Sequence, residues 1–225
     1  MNAIGLICTL GASILSEVAM PVKDFNLTLK QKAEDMLKTM YIANGIGLAA
    51  PQMGESIQLI VIDLSDCLSN IKNTLKNEDI LKNPEKLKKI SQIKKNLEEC
   101  ILTLDGNPIA FEAIQPFCFT NPKIEPIGTE KDIECEGCLS LPNVVGKVSR
   151  FKEIKLYYQD LDGKKHVLHC KNLMARCIQH ECDHLEGRLF IDNLSKEEYE
   201  PQKETLNAIT AFVGNIYDYN VITHD

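Results

Sequence analysis

Positive charge is scarce in this 225-residue chain: 25 lysines and arginines face 32 aspartates and glutamates, a formal net charge of -7. The lysines are scattered, so the basic stripe that marks a nucleic-acid binder is missing and no nucleic-acid site is expected. Long apolar runs are missing too. Ile4 to Leu15 is the N-terminal apolar stretch, and Glu17 interrupts it well short of a bilayer's thickness. That stretch also lacks the basic leader of a secretory signal, because the first lysine is Lys23. No membrane partner is expected. With nine cysteines, an odd number, a complete disulfide framework within one chain is excluded. Free thiols fit a reducing compartment, so the expected location is the cytoplasm. At 44% hydrophobic content the chain can bury one good core, and residues 1–225 are expected to form a single domain.

What is present is more pointed. Gln179-His180-Glu181-Cys182-Asp183-His184 places two histidines four residues apart, on one face of a helix. Both imidazoles can then reach one ion, and the intervening Glu181 can reach a water beside it as a general base. Here another absence matters. Zinc proteases with this motif extend it through a glycine to a third histidine, or use a glutamate further on. Gly187 is in place, but Phe190 stands at the third-histidine position, and a phenyl ring cannot ligate a metal. Glu197, Glu198 and Glu200 belong to an acidic run that reads as a solvated face.

The third ligand is sought upstream. Glu136-Gly137-Cys138-Leu139-Ser140 lies between an expected strand and a turn at Leu141-Pro142-Asn143, and Cys138 there could present a thiolate to the same ion. Cys135-Glu136-Gly137-Cys138 is also a Cys-x-x-Cys. With His180 and His184 it could close a four-ligand structural zinc site, and alone it could form a redox dithiol. Further upstream, Gly45-Ile46-Gly47-Leu48-Ala49-Ala50-Pro51-Gln52 ends in an amide that either lines a cleft or is a satisfied core group. Along the C-terminal helix, Leu173, Cys177, His180 and His184 form one stripe. Leu173 and Cys177 therefore either border the site and its side-chain pocket or simply pack in the core. His166 and His169, three apart in a predicted strand, point to opposite faces and read as ordinary strand residues. His224, beside the C-terminus, has no assigned role.

Taken together, the Gly-rich segment ending in glutamine, Glu-Gly-Cys-Leu-Ser and Gln-His-Glu-x-x-His-Leu resemble peptide deformylase, in the same order, from about Ile42 to Leu194. The resemblance implies an α+β fold in which antiparallel β-sheets surround a central metal-binding helix carrying His-Glu-x-x-His. It implies that Cys138, His180 and His184 bind one divalent metal per chain, Fe2+ by family expectation, with Zn2+, Ni2+ or Co2+ able to take the site. Glu181 would be the catalytic carboxylate, and Gln52 with the Leu139 N–H would stabilise the oxyanion. The implied activity is removal of the N-formyl group from the N-terminal methionine of new polypeptides, releasing formate. Backbone near Ile46, Gly47 and Gly137 would pair with the peptide, Arg150 would lie near its path, and Cys177 would border the side-chain pocket. Glu136 is a candidate acceptor orienting a ligand histidine. The ribosome, near the exit of nascent chains, is a further implied partner. A metallopeptidase cleaving internal bonds is the rival enzyme, and it lacks its usual third ligand.

Periodicity supplies the rest. Leu27 to Ala43 predicts an early helix and Ser56 to Asp63 a buried strand. Glu153 to Tyr158 and Lys165 to Cys170 predict a hairpin about Asp160-Leu161-Asp162-Gly163. Residues from about 66 to 115 form an insertion relative to the family, with Pro84 and Asp105-Gly106 as breakers. Within it Leu87, Ile90, Ile93, Leu97 and Ile101 recur at helical spacing. After Leu194 no clear amphipathic helix is expected.

Overall fold

The computed structural model describes residues 5–76, 82–111, 115–211 and 216–218. Strand β1 (Leu6–Cys8) pairs with the last described strand, Ile216–Asp218. Helix α1 (Leu27–Ile42) starts at Asn26, whose side chain accepts the Leu29 N–H at 3.1 Å and satisfies one of the orphan donors of the first turn. Two strands follow, β2 (Gly47–Ala49) and β3 (Leu59–Ile62).

The next stretch holds α2 (Ser65–Thr74), α3 (Pro84–Glu98), β4 (Ile101–Leu104) and β5 (Asn107–Pro108). Leu97 on α3 is buried, as its amphipathic spacing requires. Ile101, however, leaves the helix. It opens β4, which pairs antiparallel with a later strand and so joins the main sheet. A residue in phase with a helical stripe carries no signal that the helix has ended. His224 lies outside the described residues.

The chain continues through β6 (Phe117–Pro126), β7 (Lys131–Cys138), β8 (Leu141–Phe151), β9 (Glu153–Gln159) and β10 (Lys165–Lys171). The expected hairpin is β9–β10, in register from Lys165↔Gln159 to Lys171↔Glu153. Seven strands form one antiparallel sheet in the order β2-β3-β6-β9-β10-β4-β5. Strands β7 and β8 make a separate ribbon. Its register moves from Cys138↔Leu141 to Gly137↔Val145, so the turn lies at Leu139 and Ser140, and Pro142 to Val144 bulge within β8. The turn expected at Leu141-Pro142-Asn143 is thus a bulge one step further along.

Helix α4 (Asn172–Leu185) carries the histidine motif. Two short helices, α5 (Lys196–Tyr199) and α6 (Lys203–Thr210), follow. The second corrects the expectation of no amphipathic helix after Leu194, for it buries Leu206 against Leu141, Val144 and Val148 of the ribbon.

All four residues of β3 are buried, and their alternation explains the layers. Ile60 and Ile62 join the core formed with Met174, Ala175 and Ile178 of α4. Leu59 and Val61 face Leu29, Ala33, Met36 and Met40 of α1. Strand β3 is thereby sandwiched between α1 and α4, the expected α+β arrangement about the metal-motif helix. Among the described residues no helix is long and apolar enough to cross a membrane.

Candidate metal centre and cleft

Every residue of α4 from Met174 to Leu185 is buried, including Arg176, Gln179, His180, Glu181, Asp183 and His184. Polar groups this deep are costly unless partnered, so their partners define the site. Cys138 Sγ and one ring nitrogen from each of His180 and His184 lie within 4.8 Å of one another. The thiol comes within 3.3 Å of His184 Nε2. Thiolate plus two imidazoles is a donor set suited to one divalent ion with an open position. No other group of three or more such side chains gathers this closely among the described residues. Cys135 is exposed and does not gather with Cys138, His180 and His184. The rival closed four-ligand site therefore lacks its fourth member. Phe190, in the third-histidine position, is buried with its ring stacked 6.1 Å from that of His180.

Glu136 is the hub behind the ligands. Its carboxylate accepts from Arg150 Nε and Nη2 at 3.0 and 2.9 Å, from Arg176 Nη1 at 2.6 Å, and pairs with His180 Nδ1 at 3.0 Å. Burial works against its charge, yet the bonds from His180 and Arg150 outweigh it and hold the carboxyl down at about 2. An ionised Glu136 fixes the proton of His180 on Nδ1 and leaves Nε2 as the ligating atom. Burial holds His184 well below the usual histidine range, in the neutral form that ligates.

Arg150 belongs to this hub and does not line the cleft. Its other nitrogen donates to Asp183 at 2.5 Å, and Asp183 also receives Arg188 and Asn193. This buried guanidinium is paired with two carboxylates and lies outside the cleft lining, which corrects its expected place along the peptide path. Arg176 was not singled out from the sequence, although it sits four residues before His180 on the same face. That continuation of the stripe is the signal that would have found it.

Glu181 shows the opposite environment. Burial, reinforced by the Glu136 charge, raises its carboxyl to about 7 against the opposing pull of His180. Its Oε2 has no hydrogen-bond partner among the described residues. A carboxylate poised near neutrality with an unused oxygen beside the ligand cluster is suited to proton transfer. The orphaned oxygen also fits a water held beside an ion.

Gln52 resolves the alternative left by the sequence, for it is both buried and cleft-lining. Its Oε1 accepts the Ala49 N–H at 2.8 Å. Its Nε2 donates to Ser140 Oγ at 3.1 Å and lies 3.5 Å from Cys138 Sγ. Ser140, fully buried, was also missed; only its place in the Cys138 segment hinted at it.

A cavity of about 580 Å³ opens in front of these groups. Ile46, Gly47, Gly137, Leu139, Leu173 and Cys177 all line it, so the structure brings these sequence-chosen residues to one cleft. The two glycines of the first wall are there for space. A Cβ on Gly45 would meet Leu139 Cδ1 at 2.7 Å, and one on Gly47 would overlap the Glu181 carboxylate.

Comparison with known proteins agrees with this geometry. The model of the family described as polypeptide deformylase matches residues 4–106 and 103–200. A peptide deformylase of Opitutus terrae is 41% identical over 175 residues, 77% of this chain and 76% of its own. One from Bartonella tribocorum is 35% identical over 188 residues, covering 84% and 83%. Among solved structures, a Synechococcus elongatus peptide deformylase in complex with actinonin matches with a TM-score of 0.65 at 33% identity, covering 93% of this chain and 89% of that one. A Plasmodium falciparum peptide deformylase bound to an inhibitor has a TM-score of 0.65 at 28% identity, covering 90% and 97%.

Proposed function

The chain belongs to the polypeptide deformylase family and is a metal-dependent hydrolase that removes the N-formyl group from new polypeptides, and we propose the residue roles by which it does so. The observation that carries the reading is the convergence of Cys138, His180 and His184 beside the unpartnered carboxylate oxygen of Glu181. These three side chains would hold one divalent ion, which supplies Lewis acidity and a water of lowered pKa. By family expectation the working ion is Fe2+, with Zn2+, Ni2+ or Co2+ as substitutes the donor set accepts.

Glu181 takes a proton from the attacking water at Oε2 and later returns it to the departing amine nitrogen, which leaves as the new N-terminus of the peptide. Between those transfers the formyl carbonyl oxygen becomes an oxyanion. Gln52 Nε2 and the Leu139 N–H donate to it, each worth about 2.7–4 kcal/mol in comparable sites. Ser140 and the Ala49 N–H fix the rotation of the Gln52 amide, so the donor is set before substrate arrives. Backbone at Ile46, Gly47 and Gly137 pairs with the peptide as an added strand. Cys177 and Leu173 form the apolar wall for the methionine side chain. Arg150 is a positioning residue acting through Glu136.

The chain would act as one catalytic domain, with residues 66–115 a structural excursion whose β4 extends the sheet. It would work in the cytoplasm on chains leaving the ribosome, without a nucleic-acid site of its own. The test is formate release from a short formyl-methionyl peptide, using anaerobically prepared protein of quantified metal content. Turnover with one ion per chain is expected, with a large loss of kcat and retained metal in Glu181→Gln. Full activity in that variant would remove Glu181 as the base.

A further inference from the structure

The cleft extends past the groups that handle the formyl-methionine, and its mouth has an unusual composition. Three charged side chains line the cavity, Glu136, Arg176 and Glu181, and all three are buried. Glu136 and Arg176 are spent on one another, and Glu181 is committed to proton transfer. The exposed lining is uncharged: Asn44, Cys135, Gly137, Asn143 and Val145.

Two of these residues share further properties. Asn44, between α1 and β2, has φ 54°, and Asn143, in the β8 bulge, has φ 63°. Both occupy the left-handed region, which fixes the backbone from which each amide projects. Neither side chain has a hydrogen-bond partner among the described residues. Each amide carries a carbonyl acceptor and two N–H donors, the complement of a peptide group. They come from different walls of the cleft. Asn44 stands two residues before Ile46, and Asn143 lies in the strand paired with Gly137. The walls approach closely at Gly45 and Leu139.

We propose that Asn44 and Asn143 form an amide clamp on the peptide backbone beyond the formyl-methionine, so that substrate extension is recognised through backbone polar groups and not through side-chain charge. The inference rests on the deformylase reading of this cleft. Its consequence is a subsite suited to formyl-methionyl chains of any following sequence: neutral, held in place, and without an opposite charge to select acidic or basic residues.

The experiment compares kcat/KM of the metal-loaded enzyme on formyl-methionine amide and on formyl-Met-Ala-Ser. The variants are Asn44→Gly, Asn143→Gly and the double variant. Glycine keeps the left-handed backbone and removes only the amide, and thermal unfolding verifies that the variants fold. The advantage of the tripeptide over the single-residue amide should fall about five- to tenfold in the double variant, as expected for losing two modest hydrogen bonds. Wild type should process formyl-Met-Lys-Lys and formyl-Met-Glu-Glu within about threefold of each other, whereas Asn143→Asp should favour the lysine peptide because the charge is newly placed at the subsite. An unchanged tripeptide advantage in the double glycine variant would overturn the clamp. So would strong lysine-glutamate discrimination by the wild type. Absence of formate from both substrates with wild-type enzyme would instead overturn the reading of the cleft on which the clamp rests.

Discussion

At Gly47 a missing side chain protects the catalytic one. A Cβ built there lies 2.9 Å from Glu181 Cδ, so Gly47→Ala must push the carboxylate away from the ligand cluster. Displacements near 1 Å at a reacting group cost on the order of a hundredfold. Gly47→Ala should therefore lose about a hundredfold in kcat while retaining its metal, measured on one preparation by formate release and metal analysis. Near-normal kcat would mean that Glu181 has room to swing, and that its place in the structure is not what catalysis requires. The two cysteines of the ribbon offer a second contrast. Cys138→Ser should lose metal, because a neutral hydroxyl replaces a thiolate, while Cys135→Ser should bind it nearly as well as wild type. The reverse order would move the ligand to Cys135. Much of this site was legible in the chain because its chemistry is local. His180, Glu181 and His184 are spaced by one helix, and Cys138 lies in a short marked segment. What was not legible is the buried charge network. Arg150 and Arg176 converge on Glu136 from β8 and α4, and no local pattern says that two distant arginines share one carboxylate.

The elements are held together by a second charged group, one that includes none of the candidate ligands. His166 on β10 bonds Asp105 of the β4–β5 turn through Nδ1 at 2.7 Å and Asp160 of the β9–β10 turn through Nε2 at 3.1 Å. Tyr158 stacks on its ring at 5.4 Å. Burial opposes the imidazolium, but the hydrogen bonds and charges of the two aspartates outweigh it, and the His166 pKa is raised. Both aspartates are lowered: Asp105 by the Val167 N–H and His166, Asp160 by His166 and its turn N–H groups against burial. A raised histidine stabilises fully below its unfolded value of about 6.5 and loses that contribution as pH climbs through the folded value. The lowered aspartates contribute fully above about 3.9 and lose it as pH falls through their folded values. The stability gap between wild type and His166→Gln should thus be widest between about pH 4 and 6.5 and narrow toward pH 9, read by thermal melts. A gap constant from pH 6 to 9 would mean that the imidazole stays neutral. This cluster pins β4 and β5, the elements hardest to see in the sequence. Helices α1, α3 and α4, strand β3 and the β9–β10 hairpin follow from periodicity and turn residues. Strand β4 does not, since Ile101 continues the spacing of α3 and becomes a strand only by pairing with β10.

Across the whole molecule, the ligands join parts that otherwise have separate cores. Cys138 comes from the ribbon, packed with the Leu141, Val148 and Phe190 cluster. His180 and His184 come from α4, whose apolar face belongs to the main sheet's cluster. An ion binding both would favour the folded chain over the unfolded one, in which these ligands are not assembled. Such linkage contributes about 2.7 kcal/mol when free metal is a hundredfold above its dissociation constant. For a chain of this size each kcal/mol moves Tm by about 2–4 °C. Chelation should therefore lower Tm by roughly 5–10 °C, with recovery on adding back one equivalent of Zn2+ or, anaerobically, Fe2+. Cys138→Ser should start near the chelated value and respond weakly to either treatment. A wild-type Tm indifferent to chelator, in protein from which metal loss is verified, would show that the ribbon and helix are held together without help from the ion. The hub makes that outcome a real contest. Arg150 and Arg176 already tie β7, β8 and α4 together through Glu136, Asp132 and Asp183. A buried network of this kind confers less net stability than its bond count suggests, because each charge must first be desolvated. The ion's own share should for that reason remain visible in the melt.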